Sequence, residues 1–127
     1  MTEDKCSERD VHKKFAVDCF NLVWSLKIGT PVELERGEWQ ISRVYSVLKR
    51  SEPALYHAER CLQICIEKGI GDWDIAFAHE AMARAYAAAG QKEQCRKYIE
   101  LAQKAGEQIK QKEDREYLLA ELRTISS

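Results

Sequence analysis

Two stretches of this chain superimpose at an offset of 41 residues, and that self-similarity constrains the fold more than any other feature. ISRVYSVLKRSEPALYHAERCL (41–62) over MARAYAAAGQKEQCRKYIELAQ (82–103) places Arg43 on Arg84, Tyr45 on Tyr86, Glu52 on Glu93 and Glu59 on Glu100. Small residues match in kind: Ser42 with Ala83, Ala54 with Cys95, Cys61 with Ala102. A helix, a short turn and a second helix used twice is the mark of a helical repeat architecture, in which each unit buries its apolar face against the next.

Helix punctuation extends this reading along the chain. Ser7 with Asp10 resembles an N-cap, and Val11, Phe15, Cys19, Leu22, Val23 and Leu26 recur at helical spacing, predicting a helix over 8–28. Val17, Phe20 and Trp24 form a second apolar stripe on that helix. Gly29 stops it, and Thr30-Pro31-Val32-Glu33 is an N-cap, a first-turn proline and a capping-box glutamate. A helix to about residue 50 follows, with Leu34, Ile41, Val44, Tyr45 and Leu48 expected inward. Ser51-Glu52-Pro53 opens the next, whose apolar face should hold Ala54, Leu55, Ala58, Cys61, Leu62, Cys65 and Ile66. Gly69-Ile70-Gly71 closes it, Asp72 is expected to cap a helix over 73–89, and Gly90 leads into one over 92–109. Asp114 is expected to cap a last helix over 114–126, with Leu118, Leu122 and Ile125 on one face. The expectation is a single all-α domain, 1–127, of about six antiparallel helices: an N-terminal helix (8–28), a first repeat (31–68), a second (73–109) and a capping helix (114–126).

The spacing of Met82, Ala83, Tyr86, Gly90, Cys95, Ile99 and Ala102 resembles the tetratricopeptide repeat. Ile41, Ser42, Tyr45, Ala54 and Cys61 follow the pattern more loosely. Lys49 stands at the turn-glycine position, Ala58 where a bulky residue is usual, and Glu38 and His79 at the hallmark tryptophan. The offset of 41 exceeds the usual repeat length. The resemblance covers 35–109 and implies a right-handed superhelical array of helical hairpins. RGEWQISRVYSVLKRSEPALYHAERCLQIC and KGIGDWDIAFAHEAMARAYAAAG are similar to a group of small, uncharacterised bacterial proteins of that helical class, which implies a fold and no activity.

Composition removes several function classes. Lys+Arg 20 against Asp+Glu 21 leaves no basic field for nucleic acid or an anionic membrane surface. No apolar run approaches the roughly 20 residues of a membrane span, and the polar start MTEDKCSERD is unlike a secretory signal. Five cysteines without a disulfide-framework spacing point to reduced thiols and a cytoplasmic setting. His79-Glu80-Ala81-Met82-Ala83 lacks the second histidine of the zinc-protease helix. No glutamate stands three residues before a histidine, as a di-iron bundle would need. There is no phosphate loop or nucleophile elbow, and Cys6 has no evident base beside it. The chain is expected not to be an enzyme and to need no cofactor or metal.

The resemblance to tetratricopeptide arrays implies that the first helix of each repeat lines a concave groove. By alignment that groove takes Arg36, Trp39, Gln40 and Arg43 from the first repeat and Phe77, Glu80, Ala81 and Arg84 from the second. Arg43 and Arg84 suit a carboxylate or an acidic peptide, while Trp39 and Phe77 supply apolar area. The alternative is that these arginines pair with Glu35, Glu38 or Glu80 on solvated faces. Val17, Phe20 and Trp24 suggest a homodimer interface, unless their helix lies sandwiched within the fold. His57, Cys61 and Cys65, at i, i+4 and i+8, offer one helix face to a metal, with Cys95 or His79 as a fourth donor; core packing of the cysteines is the alternative. The leading expectation is a protein-interaction module that forms a homodimer. A metal protein or enzyme on the His57/Cys61/Cys65 face stands second.

Overall fold

The computed structural model describes residues 29–125, which contain helices and no strand. Five helices follow one another: α1 (Pro31–Val47), α2 (Ser51–Lys68), α3 (Asp72–Ala88), α4 (Lys92–Gly106) and α5 (Lys112–Arg123). The chain divides after Thr30 into two units, and all five helices belong to the second, Pro31–Ser127. The helix expected over 8–28, with Val17, Phe20 and Trp24, lies outside the described residues. No described helix is long and apolar enough to cross a membrane.

The first three helices end where the backbone reverses through a left-handed residue. Gly69 (φ 64°) ends α2 and Gly90 (φ 75°) follows α3, and in both the next N–H reaches back five residues: Ile70 to the Cys65 carbonyl at 2.9 Å, Gln91 to the Tyr86 carbonyl at 3.0 Å. The same closure follows α1, where Arg50 N–H reaches the Tyr45 carbonyl at 2.8 Å, but the left-handed residue is Lys49 (φ 59°). Lysine thus performs the glycine's role at about 1–2 kcal/mol of backbone cost. This turn is why α1 stops at Val47 rather than near residue 50. Gly106 ends α4 short of the expected 109 through a turn in which Ile109 N–H bonds the Gly106 carbonyl. Neither aspartate is an N-cap. Asp72 is itself left-handed (φ 57°), and its Oδ1 accepts the Lys110 N–H at 3.0 Å, tying the α4–α5 link to the start of α3. Asp114 lies inside the first turn of α5, near the positive end of the helix dipole.

Polar and aromatic pairs define how the helices lie. Across α1 and α2, Ser42 meets Ala54, Glu38 meets His57 and Glu35 meets Cys61, so the hairpin is antiparallel. Across α3 and α4, Tyr86 stacks on Tyr98 while Asp72 meets Lys110, again antiparallel. Partners on α1 and α3 (Arg36 with Asp74, Trp39 with Glu80) are separated by 38 and 41 residues. Those on α3 and α5 (Arg84 with the Glu121 carbonyl and with Thr124) are separated by 37 and 40. Helices α1, α3 and α5 therefore run parallel at a nearly constant step.

The core suits close helix approach. Ala54, Ala58, Cys61, Cys65, Ala76, Ala78, Ala83, Ala85, Cys95 and Ala102 are all at most 1% exposed. Helix α3 buries residues around its circumference, as an element with neighbours on several sides must. Leu118 and Leu122 of α5, and Ile125 just past its end at Arg123 rather than the expected 126, join the cluster around Phe77 and Ala102. Two expectations change. Ile66, expected inward, is 68% exposed, because Cys61 and Cys65 mark the packed side of α2. On α1, Ile41 is buried, but Leu34, Val44, Tyr45 and Leu48 are only partly so; the buried stripe is Glu35, Glu38, Ser42 and Ser46. A polar stripe can face α2 because α2 offers it matching polar partners.

Candidate functional site

Four acids sit in this interior: Glu35 (2% exposed), Glu38 (0%), Asp74 (6%) and Glu80 (0%). Burying a carboxylate is strongly unfavourable unless charge and hydrogen bonds return what water supplied. For three of them the return is visible. Glu38 takes His57 Nδ1 at 2.6 Å and Arg60 Nε at 2.7 Å. Because a carboxylate only accepts, His57 carries its proton on Nδ1. Asp74 is held by both nitrogens of Arg36, at 2.8 and 3.0 Å, and the guanidinium lies 4.4 Å over the Trp73 ring. That pairing raises the Arg36 pKa. Glu80 accepts Trp39 Nε1–H at 3.1 Å on one oxygen and Arg84 at 2.7–2.8 Å on the other.

Residues aligned as groove-lining come together on the α1–α3 face, in two states. Arg36 is largely exposed and Gln40 is exposed, while Phe77 is 3% exposed and Glu80 fully buried. Trp39 is half-buried, edge-on to Phe77 at 5.8 Å, and Phe77 in turn meets Tyr117 of α5 at 5.5 Å. Arg43 and Arg84 both point at α5. Arg43 Nη1 lies 2.6 Å from Glu121 Oε1, and Arg84 Nη2 lies 3.9 Å from the same atom. Arg84 also donates to the Glu121 carbonyl (3.1 Å) and to Thr124 Oγ1 (2.9 Å). Two arginines from equivalent repeat positions thus converge on one carboxylate, and the chain itself provides it. Beside this junction Ser46, Lys49, Arg84, Ala87, Ala88, Thr124 and Ile125 line a cavity of about 420 Å³.

The fourth acid is different. Glu35 has no cationic partner among the described residues. Its Oε1 accepts the Cys61 thiol at 3.5 Å, and its Oε2 meets no donor. The carboxylate of Asp74 and the thiol of Cys65 lie beside it, and together with burial they push the Glu35 pKa up to about 9, burial being the largest cause. Glu35 is therefore a neutral acid at pH 7, able to share its proton with Asp74. Cys61 is pushed up, first by its hydrogen bond to Cys65, and Cys65 is lowered by that same bond. The donor atoms of Glu35, Cys61 and Cys65 all lie within 4.8 Å of one another, and all three residues are buried. His57, expected to join the two cysteines, is instead engaged by Glu38 and stacked near Tyr45. His79 is half-buried, with its pKa lowered by desolvation.

Sequence reasoning set Glu35 and Glu38 on solvated faces, as partners of the arginines, and passed over Asp74; all three are buried. The available signal was the 35/38/42/46 spacing opposite 54/57/61/65, two stripes that are polar or small at one helical period. Comparison with family models, curated proteins and solved structures finds no match to this chain.

Proposed function

We propose that the chain is a non-catalytic protein-interaction module of tetratricopeptide-like hairpins, which receives an acidic amphipathic helix or peptide against α1 and α3. The convergence of Arg43 and Arg84 on the single carboxylate of Glu121 is the observation that carries this reading. Helix α5, KEDREYLLAELR, has the chemistry such a ligand would need: an apolar stripe, an aromatic against Phe77 and an acid between two guanidiniums. It is the intramolecular stand-in for the partner, so binding is an exchange. A peptide of residues 112–125 carrying a fluorophore should bind the full-length Glu121→Arg variant at least about tenfold more tightly than the native chain, because that substitution turns the resident helix against its own clamp. Adding Arg43→Glu, which leaves the buried Glu80–Arg84 pair intact, should abolish the gain. Fluorescence anisotropy that stays flat for the Glu121→Arg chain overturns the proposal.

Self-association through Val17, Phe20 and Trp24 belongs to the same reading, motivated by two apolar stripes on one expected helix. Sedimentation at tens of micromolar should give a dimer that Phe20→Glu with Trp24→Glu converts to monomer; a native chain that sediments as a monomer removes this part. The free thiols of Cys61, Cys65 and Cys95 support a reducing, cytoplasmic setting.

A further inference from the structure

We infer that Glu35, Cys61 and Cys65 form a binding site for a thiophilic divalent cation, zinc being the natural occupant. The comparison among the four buried acids carries the inference. Glu38, Asp74 and Glu80 each have an arginine, whereas Glu35, equally buried, faces two thiols and another carboxylate. Buried as the neutral acid, Glu35 lacks the one partner its carboxylate form would need, a positive charge. A cation among its oxygen and the two sulfurs supplies that charge.

The geometry suits this occupant. Cys61 and Cys65 are one turn apart on α2, so both sulfurs lie on one side, and Glu35 reaches them from α1. The ligands therefore come from both arms of a hairpin, which a metal would pin together. Tetrahedral zinc with bonds of about 2.3 Å to sulfur places two thiolates about 3.8 Å apart, and the three donor atoms here lie within 4.8 Å of one another. Side-chain shifts of under about 1 Å close the difference. Two sulfurs with a carboxylate select zinc over magnesium or calcium, which prefer all-oxygen shells. Asp74, beside Glu35, has both its oxygens taken by Arg36, so the fourth position falls to a water. Binding replaces the thiol protons and the Glu35 proton, which leave to solvent. Nothing in this inference depends on what α1 and α3 receive.

Cobalt(II) titration of the reduced, metal-free full chain tests it, in a background where Cys6, Cys19 and Cys95 are serine so that only the two candidate thiols remain. One equivalent of cobalt should produce a thiolate-to-cobalt charge-transfer band with intense tetrahedral visible bands, and zinc should bleach both. Cys61→Ala and Cys65→Ala, small-for-small changes beside alanines already in this core, should each remove the band. Glu35→Gln, which preserves shape, should weaken binding at least about tenfold, the lower bound for losing even an outer-sphere partner. Circular dichroism establishes that each variant is helical before it is scored. A helical parent chain that shows no charge-transfer band, or a band that survives Cys61→Ala with Cys65→Ala, overturns the inference.

Discussion

Replacing Arg84 with methionine should cost the folded chain about 3–5 kcal/mol, the loss expected when one partner of a buried ion pair is removed. Glu80 is fully buried, and Arg84 is its cation, at 2.7 Å. Trp39 Nε1–H would remain on the other oxygen, one neutral donor against a full charge. The same substitution removes the bonds to the Glu121 carbonyl and to Thr124, loosening α5. Adding Glu80→Gln should recover most of the loss, because an amide on an apolar neighbour carries no stranded charge. Urea unfolding of the two variants checks this. A loss below 1 kcal/mol for Arg84→Met would place the pair among ordinary surface bridges.

Glu35→Gln should do the reverse and stabilise the metal-free chain at neutral pH. The unfolded glutamate releases its proton near 4.5, and the folded one near 9. Between those values the native state holds a proton that the unfolded state has lost, so stability falls as pH rises, by about 1.4 kcal/mol per pH unit. The penalty accumulates as pH rises toward 8, and glutamine, neutral at every pH, escapes it. The variant should match the native chain near pH 4 and exceed it progressively toward pH 8. Unfolding free energies measured across that range, in the presence of a chelator, give the comparison. Parallel pH profiles would show that Glu35 is ionised in the folded chain.

The helices were legible because their ends are written in local chemistry: Thr30-Pro31, Pro53, Gly69, Gly90. The α5 stripe was legible too, since Leu118, Leu122 and Ile125 have no competing role. The buried acids were not. A carboxylate next to an arginine in sequence reads as a solvated face, and only the pairing of α1 with α2 reveals that Glu38 lies against His57. Arg43 and Arg84 stood out through the repeat, but their shared partner is 78 and 37 residues further on, beyond any local pattern. For the cysteine face, Cys61 and Cys65 were read correctly as one surface. Glu35 beside their sulfurs was not legible, because periodicity finds residues on the same helix, and Glu35 is on another.

The alanine-lined contacts between helices are smooth. Rods faced with such small side chains could slide along one another by a turn with little change in buried apolar area. The carboxylates act as detents against that sliding. Shift α3 by one turn against α1, and Asp74 parts from Arg36, leaving a charge stranded in a dry interior, while Glu80 keeps Arg84 but loses the Trp39 donor. The charge pairs thus serve as a vernier, fixing the step from one first helix to the next where the apolar surface alone would leave it free.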